Sequence, residues 1–374
     1  MVGAMGGPPR FSRRWVLVAA GSAALLGAGP AGGLLPVGAD LPAEDLRARV
    51  LAGHPPFTGL ARSTGRLGLP EIPQLQSTTA LLTGTTTIRS YRAGPDRWRV
   101  DELTPAGERD TYHRDGVEYV WDFGANQLTT VSGSTPVRLP RPADLDPPEL
   151  ARRLVGLTRS DPVSTIPGRR VAGIGASGFR VTPGDPDTTV ARIDVWLDPD
   201  SGLPLRVEVA GRTDPGLPVL FTEFQEVSLT APDDRTLTPA LPPGAGSVTA
   251  DAADLAGALR QLDAPDPPAR LAGRDLVPLG DATLPGVGLY GSGVAGFALV
   301  PASRGIADRV IEGAAIAGGV AVEVPVGRAV RVSSPLITVV ARGGIRRGGR
   351  LLVGTVAPAV LEQAVRELPA RGRP

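Results

Sequence analysis

The chain has 374 residues with a formal net charge of +1, and 42% of them are apolar, 21% charged and 4% aromatic. This length predicts about two domains, and the balanced charge gives no electrostatic preference for nucleic acid. All 39 residues in the Lys and Arg count are Arg, and Cys is absent. These two absences exclude P-loop lysines, Schiff-base chemistry, thiol nucleophiles, disulfides and a lipidated cysteine.

The N-terminal segment has the pattern of an export signal. Arg10, Arg13 and Arg14 precede an apolar stretch over residues 15–26, and a small-x-small sequence ends at Ala39. Residues 1–39 are therefore predicted to be a signal peptide or an uncleaved N-terminal membrane anchor. Both alternatives predict that the rest of the chain lies outside the cytoplasm, in the cell envelope, and the choice between Sec and Tat export stays open.

A helix is predicted over residues 43–51, followed by short strands over residues 57–132. Turn sequences separate these strands, among them Gly94-Pro95-Asp96, Arg114-Asp115-Gly116 and Gly124-Ala125-Asn126. This spacing predicts an antiparallel meander of hairpins. A second helix is predicted over residues 148–157, and its apolar stripe could cover the sheet.

Strands are predicted to resume over residues 170–182, 189–197, 203–212 and 219–229. Prolines and acidic residues then mark a linker over residues 244–269, with a short helical run at 252–262. Residues 270–374 are predicted to form a smaller α+β unit, with a strand at 287–300 and helices at 304–317 and 359–368. The predicted organisation is thus a β-rich domain over residues 40–243, the linker, and the C-terminal unit.

Motifs for catalysis are weak in this chain. G-x-G-x-x-G occurs three times, but each glycine run leads into a predicted strand rather than a helix, which disfavours dinucleotide binding. His54 and His113 could pair with a Ser and an Asp, yet no G-x-S-x-G elbow is present, so structural or surface roles are favoured. The Asp198-Pro199-Asp200-Ser201-Gly202 loop lacks the downstream ligands of a calcium loop and is interpreted as a hairpin turn. We predict no catalytic residue, no metal site and no cofactor.

Aromatic and apolar residues on the predicted strands are the remaining candidates for a site. They could form a packed core, or they could line an apolar cavity between a curved sheet and its helices. A lipid would suit such a cavity, because burying each methylene contributes about 0.8 kcal/mol. The residues predicted to line the cavity are Trp98, Val100, Val117, Tyr119, Trp121, Phe123 and Trp196.

Three segments carry a resemblance to a known family. They are Tyr91-Arg92-Ala93-Gly94-Pro95-Asp96-Arg97-Trp98-Arg99-Val100, Asp115-Gly116-Val117-Glu118-Tyr119-Val120-Trp121 and the hairpin from Trp196 to Arg206. In this order, over residues 40–243, they resemble the LolA/RseB superfamily, in particular the MucB/RseB-like proteins of high-GC Gram-positive bacteria. The resemblance implies an α+β fold, with an unclosed antiparallel β-barrel lidded by helices and a smaller C-terminal domain.

The resemblance also implies a function without catalysis. RseB binds the periplasmic part of an anti-sigma factor, so the first expectation is an extracytoplasmic regulator that senses lipid or lipoprotein acyl chains and binds an anti-sigma factor or other membrane protein. The second is a lipid or lipoprotein carrier of the cell envelope, which would use the same cavity. A Ser/His hydrolase is a third hypothesis, and it requires a Ser, a His and a carboxylate within hydrogen-bond reach.

Overall fold

The computed structural model describes nine stretches of the chain. They are residues 41–68, 76–104, 107–133, 140–251, 255–262, 264–279, 284–316, 318–345 and 348–369. The predicted export segment, residues 1–39, lies outside them. Among the described residues, no helix has both the length and the apolar character needed to cross a membrane.

The larger of two sheets has twelve strands and is not closed. Its strand order is β12-β6-β5-β4-β3-β2-β1-β11-β10-β9-β8-β7, and the two edge strands, β12 and β7, do not pair with each other. All neighbours are antiparallel except β12 and β6. The strands are β1 Phe57–Gly65, β2 Thr85–Gly94, β3 Arg97–Thr104, β4 Gly107–Arg114, β5 Val117–Asp122, β6 Gln127–Ser132, β7 Val163–Val171, β8 Ile174–Val181, β9 Val190–Leu197, β10 Pro204–Gly211, β11 Pro218–Ser228 and β12 Gly246–Asp251.

Two helices cover one face of this sheet, which we call the inner face. They are α1, Ala43–Ala52, and α3, Pro147–Leu157; a shorter helix, α2, spans Gln76–Thr83. Leu46 of α1 and Val155 of α3 are fully buried with Phe179 and Val195 of the inner face. Each such side chain contributes about 1.5–3 kcal/mol by leaving water. The predicted helix lid over an unclosed antiparallel sheet is therefore confirmed.

Hairpin turns account for both the success and the main error of the strand prediction. The predicted turn at Asp115 and Gly116 joins β4 to β5, and both residues have positive φ angles, 54° and 76°. The prediction of a single strand over residues 170–182 was wrong. Ala172 and Gly173 also have positive φ angles, 48° and 82°, so the chain reverses there and forms the β7–β8 hairpin. The helix α2 was not predicted.

The smaller sheet has eight strands in the order β13-β14-β15-β16-β20-β19-β18-β17. Its helices are α5, Arg304–Ile316, and α6, Pro358–Glu367, and a further short helix, α4, spans Leu255–Arg260. The predicted strand over residues 287–300 is interrupted by a one-turn 3-10 helix, Gly293–Ala295. The strands of the smaller sheet are β13 Arg270–Leu271, β14 Arg274–Val277, β15 Gly288–Tyr290, β16 Phe297–Ala302, β17 Val320–Val322, β18 Arg328–Ser333, β19 Thr338–Ile345 and β20 Gly348–Gly354.

The region of the smaller sheet packs tightly against the larger one. The hydroxyl of Thr188, a residue 1% exposed, lies 2.6 Å from the Val294 carbonyl and 2.9 Å from the Thr355 carbonyl. A Cβ on Gly293 would come within 2.6 Å of the carbonyl oxygen of Leu157, the last residue of α3. Only glycine allows this approach, so α3 touches the inner face of one sheet and the 3-10 turn beside the other. The predicted boundaries at residues 243 and 270 stay predictions, and β12 lies inside the predicted linker.

Candidate ligand-binding cleft

A cleft of about 610 Å³ opens at one end of the inner face. It lies between strands β2 to β5, the C-terminal end of α1, the 3-10 helix Pro142–Asp144 and the first half of α3. Its volume falls within the range of about 300–1,000 Å³ that is usual for small-molecule sites. Apolar groups in its wall come from Leu51, Ala52, Pro95, Trp98 and Ala143.

Trp98 is the largest apolar surface in the cleft, and two cross-strand neighbours fix its position. Its ring stacks on the His113 imidazole, with centroids 5.4 Å apart and planes at 14°. The Arg92 guanidinium carbon lies 4.7 Å from the Trp98 ring centroid, a cation–π contact. Since β2, β3 and β4 place these residues opposite one another in register, the stack follows from the sheet itself.

Arg92 is in turn held by a buried carboxylate. Its Nε donates to Asp146 Oδ2 at 3.1 Å, and its Nη2 donates to the Ala143 carbonyl at 3.3 Å. Both charged residues are almost fully buried, at 3% and 0% exposure. Burial raises the pKa of Asp146, while the charge of Arg92 lowers it. The pair links β2 to the start of α3 in this wall of the cleft.

The rim carries three partly exposed arginines, each already paired with a carboxylate. Arg141 donates to Glu118, Arg152 to Glu149 at 2.9 Å, and Arg153 pairs with Asp144 at 2.7 Å. Burial alone would raise the pKa of Glu149, but the charges of Arg92, Arg152 and Arg153 hold it below its usual value. A guanidinium has five N–H donors, so each arginine retains donors for a polar group in the cleft.

Both histidines of the chain line this cleft. The sequence favoured structural or surface roles for them, and His54 does make a local hydrogen bond, in which its Nδ1 donates to the Pro55 carbonyl at 2.9 Å. Glu118 and Asp144 provide carboxylates nearby, but among the described residues none that lines the cleft is Ser, Thr, Tyr or Cys. The described part of the cleft therefore does not supply the serine that the hydrolase hypothesis requires.

The predicted cavity residues are divided between the two faces of the sheet. Trp98 lines the cleft, and Val100, on the same face, is 1% exposed within the core beneath the helices. Glu118 also lines the cleft, and because side chains alternate along a strand, Val117, Tyr119 and Trp121 point to the opposite face. The structure does not bring these residues together in one cavity.

The opposite face accounts for the remaining predicted residues. Trp121 packs with Tyr112 and Leu128, and its ring lies edge-on to Phe123, with centroids 5.6 Å apart. Trp196 is also on this face; its indole donates to the Pro167 carbonyl at 3.0 Å, and the Arg169 guanidinium lies 4.2 Å from its ring. These residues lie outside the cleft, and their role in ligand binding stays a prediction.

Sequence reasoning missed His54, Arg92, His113, Glu118 and Arg141 as members of one cleft. One signal could have found two of them. The Asp115-Gly116 turn pairs Arg114 with Val117 and His113 with Glu118. The side chains of His113 and Glu118 must therefore share a face. The prediction placed the aromatic face of β5 beneath the helices, and for that reason it left Glu118 out of the cavity.

Comparisons with known proteins find similar solved structures but no similar sequences. No protein-family model matches the chain, and no curated protein sequence matches it. Similar solved structures include the Pseudomonas aeruginosa MucA/MucB complex, with 19% identity, a TM-score of 0.47 and coverage of 86% of this chain and 96% of the other. LprF from Mycobacterium bovis has 10% identity, a TM-score of 0.31 and coverage of 55% and 99%.

A LolA superfamily protein from Nitrosomonas europaea has 11% identity, a TM-score of 0.24 and coverage of 53% of this chain and 98% of the other. The unclosed antiparallel sheet with its helix lid is the architecture that the sequence resemblance implied. All three identities are below 20% and all three TM-scores are below 0.5, so these similarities assign neither a superfamily nor a role to this chain.

Proposed function

We propose that this protein is a non-enzymatic, extracytoplasmic regulator of the LolA/RseB type. It holds the acyl chain of a lipid or lipoprotein against Trp98 and binds an anti-sigma factor or other membrane protein in response. The cleft at the inner face is the observation that carries this proposal. The export pattern at Arg10, Arg13 and Arg14 supports the location.

The chemistry of the cleft suits an amphiphile. Trp98, Leu51 and Pro95 offer apolar surface, and each methylene that leaves water there contributes about 0.8 kcal/mol. The rim arginines offer N–H donors to a polar head, and their paired carboxylates limit the attraction for simple anions. A ligand with one apolar and one hydrogen-bonding end therefore fits better than a small salt.

The placement of α3 favours a regulator over a carrier. The first half of this helix lines the cleft through Glu149, Arg152 and Arg153, and its last residue, Leu157, abuts Gly293. A ligand that shifts α3 would therefore act directly on the region of the smaller sheet. A carrier needs only the cleft, and the contact between Leu157 and Gly293 gives a carrier no advantage.

Native mass spectrometry of the full chain, exported from a bacterial host, tests the ligand. We expect a lipid at a fixed ratio in the wild type and its loss in Trp98→Ala. Phe123→Ala is the matched control, because Phe123 is an aromatic residue in the turn between β5 and β6 that is 50% exposed and lies outside the cleft. A protein without lipid, or equal loss in both variants, would contradict the proposal.

A transfer assay separates the regulator from the carrier. The lipid-loaded chain is mixed with acceptor vesicles and, separately, with membranes that contain extracytoplasmic segments of anti-sigma factors. Retention of the lipid together with lipid-dependent binding of a membrane protein supports the regulator. Rapid transfer to vesicles without protein binding supports the carrier.

A further inference from the structure

Three carboxylates meet on the sheet face opposite the cleft. Asp101 of β3 and Asp110 of β4 lie directly opposite each other in register, and Glu108 precedes Asp110 by two residues on the same face. One oxygen from each of the three lies within 4.8 Å of the others. Like charges directly opposite in a sheet are destabilising, so this arrangement needs compensation.

Arg99 supplies part of that compensation. Its Nε and Nη2 donate to Asp101 at 2.6 and 3.0 Å, and Nη2 also donates to Asp110 Oδ2 at 2.8 Å. The same Nη2 lies 3.5 Å from Glu108. Within the described part of the chain, Arg99 is the one cation in ion-pair contact with these carboxylates. One guanidinium therefore faces three carboxyl groups.

Asp110 provides a second and independent sign of a missing partner. The residue is 1% exposed, and among the described residues its Oδ1 atom has no hydrogen-bond partner, whereas Oδ2 also accepts from the Tyr112 hydroxyl at 3.4 Å. A buried acceptor without a donor costs about 1–3 kcal/mol in an otherwise satisfied interior. The site as a whole attracts a positive charge.

We propose that Asp101, Glu108 and Asp110 form a binding site for a divalent cation of the calcium type. Ca²⁺ prefers carboxylate and other oxygen ligands, and it accepts water in its remaining positions. Once all three carboxyls are ionised, two positive charges balance the two negative charges that Arg99 leaves uncompensated. The Glu108 side chain is 31% exposed and gives the ion a path from solvent. Sites in extracellular modules bind Ca²⁺ with Kd of about 10⁻⁴–10⁻³ M, and this range suits an exported protein.

Terbium luminescence of the full chain tests this site directly. Trp121 lies opposite Asp110 in the β4–β5 pairing, so its excitation would sensitise a bound Tb³⁺ ion. We expect one saturable Tb³⁺ site that Ca²⁺ displaces, and at least a tenfold weaker affinity in Glu108→Gln. Glu102→Gln is the matched control, because Glu102 is a carboxylate of β3 that alternation places on the other face. It should keep the wild-type affinity.

Two results would overturn the proposal: no saturable terbium signal, or equal affinities in the two variants. Circular dichroism checks that Glu108→Gln is folded. A measurement on the wild type alone adds a test that needs no variant, since millimolar Ca²⁺ should raise Tm and equimolar K⁺ should not. The lipid experiments concern the inner face, so their failure and the failure of the cation site can be told apart.

Discussion

The two faces of the larger sheet are buried in different ways. On β9, Val195 faces α1 and α3 and is surrounded by apolar side chains, whereas its neighbour Asp194 is on the opposite face and is nonetheless only 1% exposed. Asp194 accepts two hydrogen bonds from Arg180, at 2.7 and 2.8 Å, and a third from Arg192. Burial alone therefore does not identify the hydrophobic core of this protein.

Glu208 on β10 continues the same pattern. It lies opposite Asp194 in register and pairs with Arg169 at 3.0 Å and Arg206 at 2.8 Å. Ion pairs thus cross β8 to β10 on the opposite face, while apolar contacts cross the same strands on the inner face. The inner face gains stability from removing apolar surface from water. The buried charges of the opposite face depend on keeping their partners.

The largest expected effect is on the inner face. Phe179→Ala removes a fully buried ring and should lower the free energy of unfolding by about 3–5 kcal/mol, because a cavity remains among the packed side chains. Urea denaturation of the two proteins measures this difference. Phe123→Ala, at a half-exposed position, should change it by less than about 1 kcal/mol. Similar losses in both variants would contradict a distinct core on the inner face.

A second substitution tests the opposite face. Asp194→Asn should lower the free energy of unfolding by about 3 kcal/mol, since it leaves Arg180 and Arg192 without their shared carboxylate. Asp194→Leu should be no better, because an apolar side chain also removes the carboxylate from Arg180 and leaves Arg192 with only its 3.6 Å ion pair to Glu208. Thermal unfolding at low and high salt provides the measurement. A neutral result for Asp194→Asn would mean that solvent already compensates these charges.

A smaller effect is expected from pH, at the cluster of Asp101 and Asp110. Burial, followed by the charge of Asp101, raises the pKa of Asp110 to about 8, against about 3.9 for an unfolded Asp. The protonated Asp110 carboxyl therefore makes its full favourable contribution to the stability of the folded state below about pH 4. This contribution is lost as pH rises towards 8. In EDTA, the free energy of unfolding should fall over this window on the order of 2 kcal/mol.

Asp110→Asn is the variant that isolates this pH dependence. It should flatten the curve between about pH 4 and 8, because the raised carboxyl is gone. Denaturant midpoints at a series of pH values, each in EDTA, provide the test. An unchanged curve in Asp110→Asn would assign the pH dependence to other groups.

Much of the local structure could be predicted from the sequence. The lid helices, the β2 to β6 meander and the β9–β10 hairpin follow from apolar periodicity and from turn residues such as Asp115-Gly116. The Ala172-Gly173 turn was missed because Ala is an unusual residue at a positive φ angle. Of the seven residues predicted to line a cavity, Trp98 is the one that lines the cleft.

The sequence by itself determined which side chains alternate, where the chain turns and which chemistry is absent, since these properties depend on residues a few positions apart. Only the tertiary structure decided which face the helices cover, and that covering excluded Trp121 from the cleft and brought in His54 and His113. It also decided that Asp110 is buried with one oxygen unpartnered. The physical reason is that burial and charge compensation depend on elements that are distant in the chain and meet only in the folded protein.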